Sequence, residues 1–271
     1  MSPNSIVLAQ LEVSDCTAEL YLNGIPLMRL APPKLPLQNI AAEQHLVPGV
    51  NTLEAVIESA GQPSLALSGS REIAFRPMGA IARLIRFPEG VPGTIEHGEL
   101  LGAAHFSWTE AASPRGAFPQ SVMARIDMGP AHGRFDWQDA PRLRLDAATL
   151  AEANAVLDQV EAAIRSGDEE RLWRLTEHQR RDLLRAYPAV TEAFLRNHLV
   201  TLLQHQRKAA DPLIPRSRSK HDFRLVAGGR MLQCIDADWT SSIKLRDPGT
   251  GDALQYHLFL ARIGATLQIV R

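Results

Sequence analysis

The chain has 271 residues, 45% of them apolar and 22% charged, with a formal net charge of −1. That length accommodates two domains of ordinary size, and the composition is that of a globular protein, not a disordered or fibrous one. Near-neutral charge argues against a dedicated polyanion binder, and no segment reaches the roughly 18 uninterrupted apolar residues of a membrane-spanning helix. The charge is uneven: residues 1–140 carry a net −5 and residues 141–271 a net +4. Met1–Asp15 has no basic start, and Gln10 and Glu12 break its apolar run, so it does not read as a signal peptide. Cys16 and Cys234 fall in different halves and are expected as two unpaired thiols, which fits a reducing compartment. The expected location is the cytoplasm.

In chain order, residues 1–140 read as short strands between Gly and Pro turns. Ser5–Val13, Thr17–Leu22 and Ile25–Leu30 come first, with the tight turn Asn23-Gly24 before the third. Gln38–Leu46 and Thr52–Glu58 flank Val47-Pro48-Gly49, and Ile73–Arg76, Ala80–Phe87, Leu101–Trp108 and Val122–Met128 follow. Regular strands with turns between them predict an all-β sandwich domain over 1–140.

Residues 147–271 predict a different class. Asp146 caps a helix over Ala147–Ser166 that Gly167 ends, with Leu150, Leu157, Val160 and Ile164 as its apolar stripe. Asp168 caps a second helix running to Pro188, with Leu172, Leu175, Leu183 and Tyr187 inward. A third, about Ala189–Lys208, presents Phe194, Leu195, Leu199, Leu202 and Leu203. A basic, Pro-containing loop follows, and then strands Phe223–Ala227, Met231–Leu245, Leu254–Arg262 and Ala265–Val270, with turns at Gly228-Gly229 and Asp247–Gly251. The fold expected for the chain is therefore two domains: an all-β sandwich followed by α+β, three helices and then an antiparallel curved sheet.

Two resemblances follow from these residues. The run Leu20-Tyr21-Leu22-Asn23-Gly24, with His45-Leu46-Val47-Pro48-Gly49-Val50-Asn51-Thr52-Leu53 downstream, resembles the jelly-roll sandwich modules that accompany sugar-cleaving enzymes. That resemblance implies a fold more than a ligand: a sugar site needs exposed aromatic platforms, and Tyr21, Trp108 and Trp137 are the few candidates, Tyr21 and Trp108 lying in core strands. Helices followed by a meander resemble the cone-shaped NTF2-like (SnoaL-type) domain, a superfamily that holds both enzymes and binding modules, so the resemblance does not assign an activity.

The sharpest constellation for chemistry is Cys234-Ile235-Asp236-Ala237-Asp238-Trp239. In one continuous strand Asp236 and Asp238 share a face, and two carboxylates there can perform acid–base work. His257 on the next strand is their candidate partner, although closure at Asp247–Gly251 sets it opposite Ser242, about 13 Å along the strand from Asp238. Trp239 and Tyr256 are candidate pocket walls. His198 and His205, two helical turns apart, cannot share a metal. No HExxH, paired CxxC, GxSxG, Walker or GxGxxG pattern occurs, and no metal or cofactor is expected.

Arg207, Lys208, Arg216, Arg218 and Lys220 make the best surface for a charged partner. Without interleaved aromatics that partner is expected to be acidic protein or a second copy of the chain rather than nucleic acid, the alternative being a solvated loop with no partner. The favoured function is a non-enzymatic protein-binding module, in one version an immunity-type inhibitor of a bacterial toxin enzyme, with a homodimer through the C-terminal sheet plausible. The alternative is a small-molecule hydrolase or isomerase that uses the C-terminal cone, with Asp236, Asp238 and His257 as its acid–base groups.

Overall fold

In the computed structural model of the chain, the residues described are 5–31, 36–59, 71–88, 97–109, 115–129, 134–208, 211–216, 221–236 and 240–271. The chain divides into two compact units, Met1–Arg134 and Phe135–Arg271.

The first unit is built from β1 (Ser5–Ser14), β2 (Cys16–Leu22), β3 (Ile25–Leu30), β4 (Leu37–Ala41), β5 (Val50–Ser59), β6 (Arg71–Ala74), β7 (Met78–Pro88), β8 (Glu99–Trp108), β9 (Arg115–Phe118) and β10 (Gln120–Asp127). They form two four-stranded antiparallel sheets, ordered β4-β1-β7-β8 and β10-β5-β2-β3, with β6 and β9 paired separately. Strand periodicity dictates the core. Val7, Ala9, Leu11 and Val13 of β1 alternate inward and meet Leu20 and Leu22 of β2 and Leu53, Ala55 and Ile57 of β5 from the other sheet in one buried cluster. The two sheets therefore face each other across a shared core. At Asp15, in the left-handed region (φ 54°), the chain passes from one sheet to the other.

The turns quoted in the sequence lock together. Asn23 and Gly24 both have positive φ, as a two-residue hairpin turn requires. The Asn23 side-chain amide donates to Asn51 Oδ1 (2.7 Å) and to the His45 carbonyl (2.8 Å), while its Oδ1 accepts from the Thr52 amide (3.0 Å). Asn51 is fully buried; its Oδ1 also accepts from the Val47 amide (2.8 Å), and its Nδ2 donates to the Val47 and Gly49 carbonyls (2.9 and 3.0 Å). Two asparagines thus satisfy the polar backbone of both turns. Where the end strands β8 and β10 approach, Gly102 leaves room for Ile126: a Cβ at 102 would stand 2.6 Å from Ile126 Cγ1.

The second unit comprises α1 (Asp136–Asp139), α2 (Ala147–Ser166), α3 (Glu169–Leu175), α4 (Glu177–Ala186), α5 (Glu192–Gln206), β11 (Leu213–Ile214), β12 (His221–Val226), β13 (Met231–Asp236), β14 (Ile243–Arg246), β15 (Ala253–Tyr256), β16 (Leu258–Ile263) and β17 (Thr266–Ile269). Strands then helices then strands is the β followed by α+β order that the sequence predicts. Asp146 caps α2 by accepting from the Thr149 amide (2.8 Å), and Gly167 (φ 65°) ends it. Ala153, Leu157, Val160 and Ile164 of α2 pack with Leu172, Leu203, Leu232, Leu260 and Leu267 in the core of this unit.

Three differences from the sequence reading have physical causes. The expected second helix breaks at Thr176, whose backbone leaves helical geometry (φ −98°, ψ 16°) and whose hydroxyl donates back to the Leu172 carbonyl (2.9 Å). The third begins at Glu192, where Thr191 caps it, and Phe194 is 60% exposed. Phe194 precedes buried Leu199 by five residues, about 140° around the helix from the stripe, whereas Leu195 at four lies on it. Most consequential, Met231–Leu245 is not one strand, and the meander forms two sheets, β12-β13-β16-β17 and β11-β14-β15. Cys234 pairs with Leu258 and Ile243 with Tyr256, so eight residues of chain on one side and only His257 on the other separate the two pairings. This excursion closes on itself through the Ile235–Ser241 bridge and a hydrogen bond from the Asp236 amide to the Thr240 carbonyl (2.8 Å).

Candidate functional site

The chain reversal after Asp236 removes the continuous strand on which two carboxylates would share a face. Asp236 is itself buried, and its Oδ2 accepts from Lys244 Nζ at 2.6 Å. Tyr256 is half-buried against the core, and burial pushes its phenol up to about 12. His257 is exposed; surrounding protein pulls its proton affinity down, an effect that its contact with water tempers. Asp238 and Trp239 lie outside the described residues, as do Arg218 and Lys220.

Of the other basic residues, Arg216 is turned inward. Its guanidinium is 3% exposed, pairs with Glu161 through Nε (2.8 Å) and with Asp158 through Nη2, and thereby clamps the segment after α5 onto α2. Arg207 donates from Nη2 to the Gly167 carbonyl at the C-terminal end of α2 (3.0 Å), where a cation is favoured. Lys208 is exposed. The basic stretch thus divides between structural clamps and surface. Burial pushes the Cys16 thiol up to about 11 and the Cys234 thiol to about 12, which makes both poor nucleophiles at neutral pH.

The helical layer assembles a site that the sequence did not announce. Glu177, Arg180, Arg181 and Leu184, at i, i+3, i+4 and i+7 of α4, share one helix face. With Trp173 of α3 and Glu192 of α5 they line a cleft of about 310 Å³. Arg180 stacks its guanidinium carbon 3.5 Å from the centre of the Trp173 ring and donates from Nη2 to the Trp173 carbonyl (2.9 Å). Burial lowers the Arg180 pKa against the opposing pull of Glu192 and Glu177. Arg196 stands 5.2 Å from the same ring and pairs with Glu169 (2.9 Å) and Glu170.

Behind the cleft runs an ionic network. Arg181 bridges Glu177 (2.7 Å) and Asp136 (3.2 Å), and Asp136 accepts or shares a proton with His178 Nδ1 at 2.7 Å. Desolvation pushes the Asp136 carboxyl up, but the hydrogen bond and charge of His178, with Arg181 and Arg185, outweigh it and hold its pKa below the ordinary value. Deeper, Asp182 is fully buried against Arg271 (3.0 Å) and Arg185 (3.5 Å), and desolvation raises its pKa despite them. A second cleft of about 230 Å³ lies between α2 and β17, but its Glu152 already accepts from the Leu267 amide (2.6 Å) and from Arg262 (2.8 Å).

Among the described residues no group of three or more His, Cys, Asp or Glu is placed to hold a metal ion. No described helix is long and apolar enough to cross a membrane. No family model, no curated protein and no solved structure matches the chain.

Proposed function

We propose that the protein is a non-enzymatic binding module whose partner is another protein. The observation that carries this reading is in the first unit: Leu100 on β8 and Met123 on β10 are 58% and 62% exposed on the end strands of the two sheets. Large apolar side chains left in water on end strands are the raw material of a protein interface. The acidic balance of residues 1–140 suits a basic partner, which is what an immunity-type inhibitor of a toxin enzyme would meet.

The fold resemblances enter this proposal as support of unequal weight. Counting the eight long strands of the first unit cyclically from β8, the two sheets take the strand order of a jelly roll, which favours that resemblance. The NTF2-like resemblance rests on helices preceding an antiparallel meander; the division of the meander into two sheets weakens it, and with it the suggestion of a homodimer through that sheet. The alternative of a hydrolase or isomerase loses ground because Asp236 is engaged by Lys244 and the clefts described above are lined by other residues.

The test is affinity capture from the native host with the wild-type chain and with the Leu100→Glu/Met123→Glu double variant. The expected result is one stoichiometric protein retained by the wild type and lost from the variant. A wild type that retains no protein, or a partner that the variant holds equally well, overturns the reading.

A further inference from the structure

Arg180 and Glu192 line the same cleft, feel each other's charge, and are not bonded to each other. Stacking on Trp173 and the Nη2 hydrogen bond fix the Arg180 guanidinium in place, yet only one of its nitrogens has an acceptor; its Nε is buried and unmet. Its remaining terminal N–H groups have no acceptor among the described residues and are left as charge-assisted donors for an incoming carboxylate. Glu192 forms no ion pair among the described residues, whereas its neighbour Glu177 is held by Arg181. Leu184 and the remaining surface of Trp173 supply apolar wall. A preorganised cation, an uncommitted anion in the same cleft and an apolar flank form the complement of a molecule that carries a carboxylate and an ammonium on one carbon.

We infer that this cleft binds a free α-amino acid, with its carboxylate on Arg180, its ammonium on Glu192 and its side chain against Leu184 and Trp173. A volume of about 310 Å³ admits a ligand of that size. A peptide end carries only one of the two charges, and an anion such as phosphate would meet Arg180 but supply no cation for Glu192. The site lies on the helical layer of the second unit and is independent of the apolar end strands of the first.

The test follows the Trp173 indole N–H by NMR in the full chain, assigned with Trp173→Phe, while each of the common free L-amino acids is titrated to millimolar concentration. At least one should give a saturable shift. N-acetylation or amidation of that amino acid, and Arg180→Gln or Glu192→Gln in the protein, should each weaken it about ten-fold, the loss of one charge-assisted hydrogen bond. The inference is overturned if no free amino acid gives a saturable shift, or if the capped forms bind the wild type as well as the uncapped one. Capped ligands need no variant, so a misfolded variant does not blunt the test, and a protein partner captured on the first unit leaves its outcome unaffected.

Discussion

The two units place their ion pairs differently: in the first, Arg83–Glu12 and Arg86–Glu99 cross strands with one partner exposed, whereas in the second Arg271–Asp182 is buried on both sides. In the first, the polar centre is a pair of neutral amides, Asn23 and Asn51, that tie two turns through hydrogen bonds to backbone and to each other. In the second, charged side chains tie its elements to one another: Arg271 after β17 to Asp182 of α4, Arg216 after β11 to Asp158 and Glu161 of α2, Arg262 of β16 to Glu152 of α2, and Lys244 of β14 to Asp236 of β13. Residues with the chemical character of a site are thus largely engaged inside the second unit, while the first leaves its end-strand apolar side chains outside. Charge in a sequence is therefore a weak guide to a binding surface until its partners are known.

The comparison breaks most readily at Arg271. Arg271→Ala leaves Asp182 buried without its main cation and should destabilise the second unit by about 3–5 kcal/mol, measured by chemical denaturation. The paired apolar replacement Asp182→Leu/Arg271→Met should recover most of that loss, because it removes both desolvation costs. Asn51→Ala should cost the first unit about 2–3 kcal/mol by orphaning the Val47 amide and by removing one of the acceptors of the Asn23 side-chain amide. If Asn51→Ala instead destabilises the second unit equally, the two do not have separate locks.

Acid sharpens the contrast. In the second unit the carboxyls of Asp136, Asp146 and Asp247 are lowered, the last two held down by backbone amides at Thr149 and at Thr250 and Gly249. A folded pKa below the unfolded one gives stability that is complete above the ordinary carboxylate value near 4 and is lost as pH falls through it. Asp182 acts in the opposite sense: its raised pKa lets the folded state take up a proton first, which offsets part of the loss but uncouples Arg271. Amide NMR signals of the second unit should therefore fade below about pH 4 while those around Asn23 and Asn51 persist. The smallest expected effect is at Gly167, where Ala would hold a left-handed residue and bring its Cβ to 2.6 Å from Arg207 Nε. It should cost about 1 kcal/mol by thermal denaturation.

What the sequence made legible was local. Ile25–Leu30 and Ala147–Ser166 are found with the bounds their punctuation predicts, because Asn23-Gly24, Asp146 and Gly167 specify their ends within a few residues. What it hid was set from afar. The apolar alternation of Ile235, Ala237, Trp239 and Ile243 reads as one strand, yet the break is dictated by where Leu258 and Tyr256 pair. Arg216 reads as part of a solvated basic loop, and only Asp158 and Glu161 on α2 decide that it is buried. The Trp173 cleft draws on three helices, and its one local signal is the i, i+4 pair Glu177–Arg181.

Comparing partner capture by the wild type and by Leu100→Glu/Met123→Glu decides whether function rests on a protein interface at the end strands of the first unit. Both positions are exposed, so the double variant should unfold at the same denaturant concentration as the wild type. With such an interface the variant keeps its fold and loses the stoichiometric partner. A partner held equally by both proteins, or none held by the wild type, would contradict it.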